Sequence, residues 1–168
     1  MKAEIIAASD THGNNGYLEE LEKCYPRADL YVHCGDLEDY ASRYPDWIFV
    51  RGNNDWDTNM PLERIVTIAG VRIYLCHSHL FSYYNREQQL AAVAKENDCK
   101  MVIFGHTHIP MVKKVDGIIL INPGSMTFPR DGKPPCYAKI IIEDDGKIRA
   151  SLIHAPDWPF KAKKSWWY

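Results

Sequence analysis

Five short, mostly apolar runs, each halted by a polar cluster, limit what this chain can become. Residues 4–8, 30–34, 47–51, 71–76 and 101–104 are too short for helices and read as buried strands. The clusters that halt them are Asp10-Thr11-His12, Gly35-Asp36, Gly52-Asn53-Asn54-Asp55, His77-Ser78-His79 and Gly105-His106-Thr107-His108. Open α/β sheets place their sites at the carboxyl ends of strands. The same strand-ending positions here carry Asp, Asn and His side chains.

The segments between the runs predict the rest of the fold. After a turn at 14–16, Leu18, Leu21, Cys24 and Tyr25 recur at helical spacing until Pro26. A short helix is expected over 38–44, ended by Pro45. A longer one is expected over 84–96, with Leu90, Val93 and Ala94 on one face. Three hairpins are expected: 63–69 with 71–76 around Gly70, 112–115 with 118–121 around Asp116-Gly117, and 137–143 with 147–154 around Asp144-Asp145-Gly146. The first half thus alternates strand and helix, and the second is rich in hairpins. Both are satisfied by an α/β fold of two mixed β-sheets, packed as a sandwich and flanked by helices. One domain spanning 1–168 is expected, with the Pro-rich stretch 129–135 as an internal loop. The aromatic tail 165–168 is compatible with packing on its own domain or with a subunit contact, which leaves a homo-oligomer open.

Composition narrows the partners. The formal net charge is -2 and no basic stripe is present, so nucleic acid is not the expected partner. The five cysteines are odd in number and form no C-x-x-C, which argues against a disulfide framework or a zinc knuckle. Cys34 and Cys76 read as small buried thiols, and reduced thiols fit a cytoplasmic setting. Asp10 interrupts the first apolar run, so no signal core is seen. No apolar stretch reaches the ~20 residues of a membrane span.

Oxygen and imidazole donors suit hard or borderline divalent ions. In an extended segment, residues i and i+2 point the same way. Asp10 with His12, and His106 with His108, would each reach one ion by that spacing. The competing reading of Asp10 and Thr11 is a helix cap; that of the histidine pair is a surface loop. Asp36 and Asn53 sit in dipeptides common in turns and gain weight from their strand-end positions. His77 is ambiguous alone. His33, inside a run, and His154, outside every cluster, read as structural histidines.

In order, D-x-H, G-D, G-N-x-D, H, G-H-x-H and N-P-G-S resemble the calcineurin-like metallophosphoesterases, nearest to their small bacterial and archaeal phosphodiesterase group. The resemblance runs from Asp10 to Ser125. It implies two divalent ions, with Mn²⁺ foremost and Ni²⁺, Co²⁺, Fe or Zn²⁺ as alternatives. Asp10, His12 and His108 would hold one ion. Asn53, His77 and His106 would hold the other, and Asp36 would bridge them. The implied reaction is hydrolysis of a phosphoester in a small phosphorylated substrate by metal-activated water. Asp36 and Asn54 would be the catalytic residues, while Asn53, Asn54 and His79 would bind substrate. Ser125 and Asn122 are expected to shape the pocket rim, and Asp55 to hold its loop through backbone hydrogen bonds.

Two departures matter. Larger family members carry a histidine where Asn54 stands, and an amide cannot donate a proton near neutral pH. Activated diesters are therefore expected to be better substrates than alkyl monoesters. Asp39, where larger members place the partner of that histidine, then reads as a helix cap or pocket residue. The second departure is Ser78, which replaces the glycine of H-G-H; His77 is expected to ligate and His79 to line the pocket. The competing function is a non-catalytic scaffold of the same fold that binds protein partners, as a retromer subunit does. All seven ligand positions carry competent side chains, which favours the enzyme. A metallo-β-lactamase-type hydrolase would need H-x-H-x-D-H, a string this chain lacks.

Overall fold

The computed structural model describes residues 2–162. The tail 165–168 lies outside them. Two five-stranded mixed sheets form the body, as the alternation of runs and hairpins predicts. The first has β1 (Ala3–Ala8), β2 (Leu30–His33), β3 (Trp47–Phe49), β9 (Cys136–Ile142) and β10 (Ile148–His154), in the order β10-β9-β1-β2-β3. The second has β4 (Glu63–Ile68), β5 (Val71–Cys76), β6 (Met101–Phe104), β7 (Met111–Val115) and β8 (Ile118–Asn122), in the order β4-β5-β6-β8-β7. The central strands β1, β2 and β3 run parallel, as do β5, β6 and β8. Hairpin strands extend both sheets antiparallel.

The pleat explains why these strands read as unbroken apolar runs. Side chains alternate between faces, and both faces of each sheet are covered. Ile5, Ala7, Ile73, Leu75, Met101 and Ile103 point into the layer between the sheets. Ile6 and Ala8 pack outward against α1 (Gly16–Cys24), with Leu18 and Leu21 as its buried stripe. Tyr74, Cys76, Val102 and Phe104 pack against α2 (Arg86–Glu96) through Leu90, Ala91 and Ala94. Five strands end at the same rim of the sandwich, and their loops carry the polar clusters.

The hairpin turns match their sequence signals. Asp116 and Gly117 have φ of 51° and 81°, the left-handed pair that a two-residue turn requires. The helix expected over 38–44 is not formed. Only Ala41–Arg43 make a 3-10 turn. Glu38 sits at φ 57°, and Tyr40 is extended, so the chain cannot start a helix there. Asp39 accordingly caps no helix; it accepts the N–H of Tyr40 at 2.8 Å. The other two helices are found, with α2 beginning at Arg86.

Candidate metal centre

The loop after β1 carries Asp10 and His12, and the backbone there is not extended. Asp10 has φ 53° and His12 φ 46°; His106 and His108 stand at 75° and 59°, and Asp36 at 58°. The expectation that extended i, i+2 spacing aligns these pairs is therefore wrong in its geometry. The side chains converge on the rim through left-handed residues at alternate positions, with Thr11 and Thr107 between them outside that region. Strain of this kind, of order 1–3 kcal/mol per residue, collects at functional sites. Neither Asp10 nor Thr11 caps α1, whose N-cap is Asn15.

All seven predicted ligand residues meet in one cluster. His12 Nε2 lies 3.1 Å from His108 Nε2, and His108 Nε2 lies 3.2 Å from Asp10 Oδ1. Asp10, His12, Asp36 and His108 offer donor atoms within 4.8 Å of one another. On the other side, Asn53 Oδ1 lies 3.0 Å from His77 Nε2 and 3.1 Å from His106 Nδ1. Asp36 Oδ2 sits between the two groups, 3.7 Å from His12 Nε2 and 3.4 Å from His77 Nε2. Asp10 Oδ1 also faces both, at 3.7 Å from His77 Nε2.

The fit to cations rests on one atom above all. Asp10 is fully buried; its Oδ2 accepts from Ser9 Oγ at 2.6 Å and from the His106 N–H at 3.0 Å. Its Oδ1 accepts nothing. A buried carboxylate oxygen without a donor is costly unless a cation faces it. The surrounding donors are oxygens and imidazole nitrogens, which suit divalent ions.

Electrostatics support the same reading. Burial would raise the Asp36 carboxyl, but the hydrogen bond and charge of His77, then the N–H groups of Asn54, hold it below the usual range. Burial likewise works against Asp10, and His108 and His77 outweigh it. His77 is pulled down by burial and raised overall by Asp36 and Asp10. Desolvation, with His77 and Arg86 nearby, pushes His106 down to about 4. His106 is thus neutral, the form that ligates.

Supporting residues fix this geometry. Asp55 accepts the N–H groups of Asp36, Glu38 and Gly52 at 2.8, 2.8 and 2.7 Å, as expected of a loop-holding carboxylate. Asn54 donates to Asp36 and is exposed. His79 lies beside the cluster, 5.4 Å from the ring of His77 and 6.2 Å from that of His106, and its Nδ1 has no partner. Asn122 and Ser125 are fully buried and do not form a rim. Ser125 Oγ donates to the Asp10 carbonyl at 2.7 Å, and Asn122 Nδ2 donates to Thr107 Oγ1 at 3.0 Å, so both brace the loops from beneath.

His33 is structural, as expected. The Gly35 N–H donates to its Nδ1 at 3.1 Å, so its Nε2–H donates to Thr11 Oγ1 at 2.9 Å. His154 ends β10 in register with Cys136. Glu38 was missed by sequence reasoning. Its Oε2 lies 2.7 Å from His12 Nδ1, a contact across 26 residues that no local motif signals.

Comparison with known proteins gives the family. Residues 3–145 match the model of the calcineurin-like phosphoesterase superfamily domain. The chain is 30% identical over 145 residues to a probable metallophosphoesterase of Bacillus subtilis, YsnB, covering 84% of this chain and 85% of that protein. It is 33% identical over 166 residues to the phosphodiesterase YfcE of Escherichia coli K12, covering 82% of this chain and 86% of that one. A crystal structure from Streptococcus pneumoniae, of a conserved uncharacterized protein described as a predicted phosphoesterase, superposes with a TM-score of 0.86. It is 27% identical and covers 97% of both chains.

Proposed function

The chain belongs to the calcineurin-like phosphoesterase superfamily, and on that premise we propose that it is a dinuclear metal-dependent hydrolase that prefers activated phosphodiesters. The observation that carries this reading is the convergence of seven O- and N-bearing side chains in two adjoining groups, with the orphaned Oδ1 of Asp10 facing both. Asp10, His12 and His108 would hold one divalent ion, Asn53, His77 and His106 the other, with Asp36 shared between them. Ions bound there would lower the pKa of a water and offset charge on phosphoryl oxygens.

The remaining steps belong to the chain's own groups. Asn54 holds Asp36 with two N–H donors and keeps a side-chain amide at the exposed edge of the site, where it can donate a hydrogen bond to a substrate oxygen but no proton. His79 lies next to His77 and His106, its Nδ1 buried and without a partner. Burial and the neighbouring His77 lower its pKa, so at neutral pH it serves as a hydrogen-bonding group for substrate. With no proton donor in Asn54's place, leaving groups that are stable as anions depart most easily. The substrate class is thus a small activated phosphodiester, with some monoester turnover.

Mn²⁺ is the foremost candidate ion, and Ni²⁺, Co²⁺, Fe or Zn²⁺ suit the same donors. Five free thiols support a cytoplasmic setting, and no helix among the described residues is long and apolar enough to cross a membrane.

The test compares bis-p-nitrophenyl phosphate with p-nitrophenyl phosphate, using metal-stripped protein with and without Mn²⁺, beside Asp36→Ala. Metal-dependent diester cleavage that the substitution abolishes is expected. Absence of turnover with every divalent ion would turn attention to a scaffold that binds protein partners.

A further inference from the structure

We propose that Glu38 positions His12 for metal binding, and that the chain keeps a strained residue at 38 for this purpose. The inference rests on the two-metal reading above and adds a residue which that reading does not use.

Three of the cluster's four histidines direct Nε2 at the other ligands and use Nδ1 behind them. His77 and His108 donate Nδ1–H to backbone carbonyls, those of Cys34 and Phe128, both at 2.6 Å. His12 instead faces Glu38 Oε2 at 2.7 Å. An ionised carboxylate only accepts, so the proton sits on His12 Nδ1 and the lone pair of Nε2 points at Asp10, Asp36 and His108. Among the described residues, His12 is the one member of the four whose outer nitrogen is backed by an anion. A carboxylate in that place fixes the ring's tautomer and orientation and makes the imidazole a stronger donor.

The backbone at Glu38 shows what holds the contact. Its φ of 57° is left-handed, where glycine is at ease and a Cβ-bearing residue is strained. Asp55 Oδ1 clamps its N–H at 2.8 Å. The side chain is 32% exposed, so burial of apolar area does not account for a glutamate here. The contact with His12 does.

The test is titration of the metal-stripped full-length protein with Mn²⁺ by calorimetry, for wild type, Glu38→Gln and Glu38→Gly. Gln keeps the size and an accepting oxygen but removes the charge. One of the two binding steps is expected to weaken about tenfold in Glu38→Gln and up to about a hundredfold in Glu38→Gly. The Mn²⁺ concentration that half-saturates diester hydrolysis should shift by the same factor. Glu38→Gly should also leave thermal unfolding of the metal-free protein unchanged or raise its midpoint, because the left-handed strain is relieved. Wild-type affinity in both variants would overturn the proposal while leaving the two-metal reading intact. So would a metal-free Glu38→Gly that unfolds earlier with affinity unchanged. Failure of the wild type to bind any divalent ion would instead sink the reading beneath it.

Discussion

Asn54 donates twice to Asp36: its backbone N–H reaches Oδ1 at 2.9 Å and its side-chain amide reaches Oδ2 at 3.0 Å. The amide thus sits at the carboxylate proposed to be shared by both ions, in the place where larger relatives of the fold resemblance carry an imidazole. It orients Asp36 and cannot protonate a leaving group. Rates should therefore fall steeply as the leaving group becomes more basic, with alkyl phosphomonoesters turned over far more slowly than aryl diesters. Asn54→His should flatten that dependence, recovering part of the roughly 10²–10⁴-fold that general acids supply. The measurement is a series of aryl and alkyl esters of graded leaving-group pKa. A wild-type rate independent of the leaving group would refute the argument.

Asp55 stitches two loops together by accepting three backbone N–H groups on two oxygens. Asparagine is the same size but has one accepting oxygen, and its NH₂ would face an N–H. Asp55→Asn should leave at least one of these donors unpaired and destabilise the metal-free protein by about 1–3 kcal/mol. Urea unfolding followed by circular dichroism checks this. Because Asp36 and Glu38 are both held through Asp55, Mn²⁺ affinity should fall as well.

The strands and hairpins were legible because their signals are local. Buried faces on both sides make continuous apolar runs, and Asp116-Gly117 supplies its own left-handed turn. The ligand residues were legible as types at strand ends. Their backbone was not, since left-handed conformations at Asp10, His12, His106 and His108 cost energy locally and are held only by the assembled rim. The same cause defeats the helix expected over 38–44. Propensity favours it, yet Glu38 stands left-handed with its N–H held by Asp55 and its carboxylate against His12, contacts made across the sequence. Asn122 and Ser125 carry no local sign of whether they line a pocket or brace it; only the bonds to Thr107 and Asp10 decide that.

Close backbone approach makes Gly52 and Gly105, like Gly35, part of the site. A Cβ at Gly52 would lie 2.2 Å from Asp36 Oδ1, and one at Gly105 would lie 2.1 Å from Ser9 Oγ and 2.7 Å from Asp10 Oδ2. In each case a proposed ligand or its partner must move. Gly52→Ala and Gly105→Ala should cost about 1–3 kcal/mol in stability, and each should also weaken Mn²⁺ binding. Gly146→Ala is the control: its φ of 84° is strained for alanine, but no atom lies within 4 Å of the new Cβ. It should lose stability and keep metal affinity. Equal metal affinity in all three variants would show that these close approaches do not set ligand positions.

Acid should weaken the metal-free fold through His33. His33 is fully buried, and both ring nitrogens are committed: Nδ1 accepts from Gly35 N–H, and Nε2–H begins a chain through Thr11 Oγ1 to Asn15 Oδ1 at 2.7 Å. Protonation would have to take the lone pair that accepts from Gly35. Desolvation, only partly offset by Asp55 and Asp10, pushes this histidine down to about 4. The folded-state value lies below that of the unfolded chain, near 6.5, so the unfolded chain takes up the proton first. Stability from this group is therefore full above about pH 6.5 and is lost as pH falls toward 4, at up to about 1.4 kcal/mol per pH unit. His33→Asn should be less stable at pH 7, because it cannot satisfy both neighbours, but its stability should fall less steeply between pH 6.5 and 4. Urea unfolding of the metal-free proteins across that range checks it. Parallel slopes in wild type and variant would mean that His33 does not titrate on unfolding.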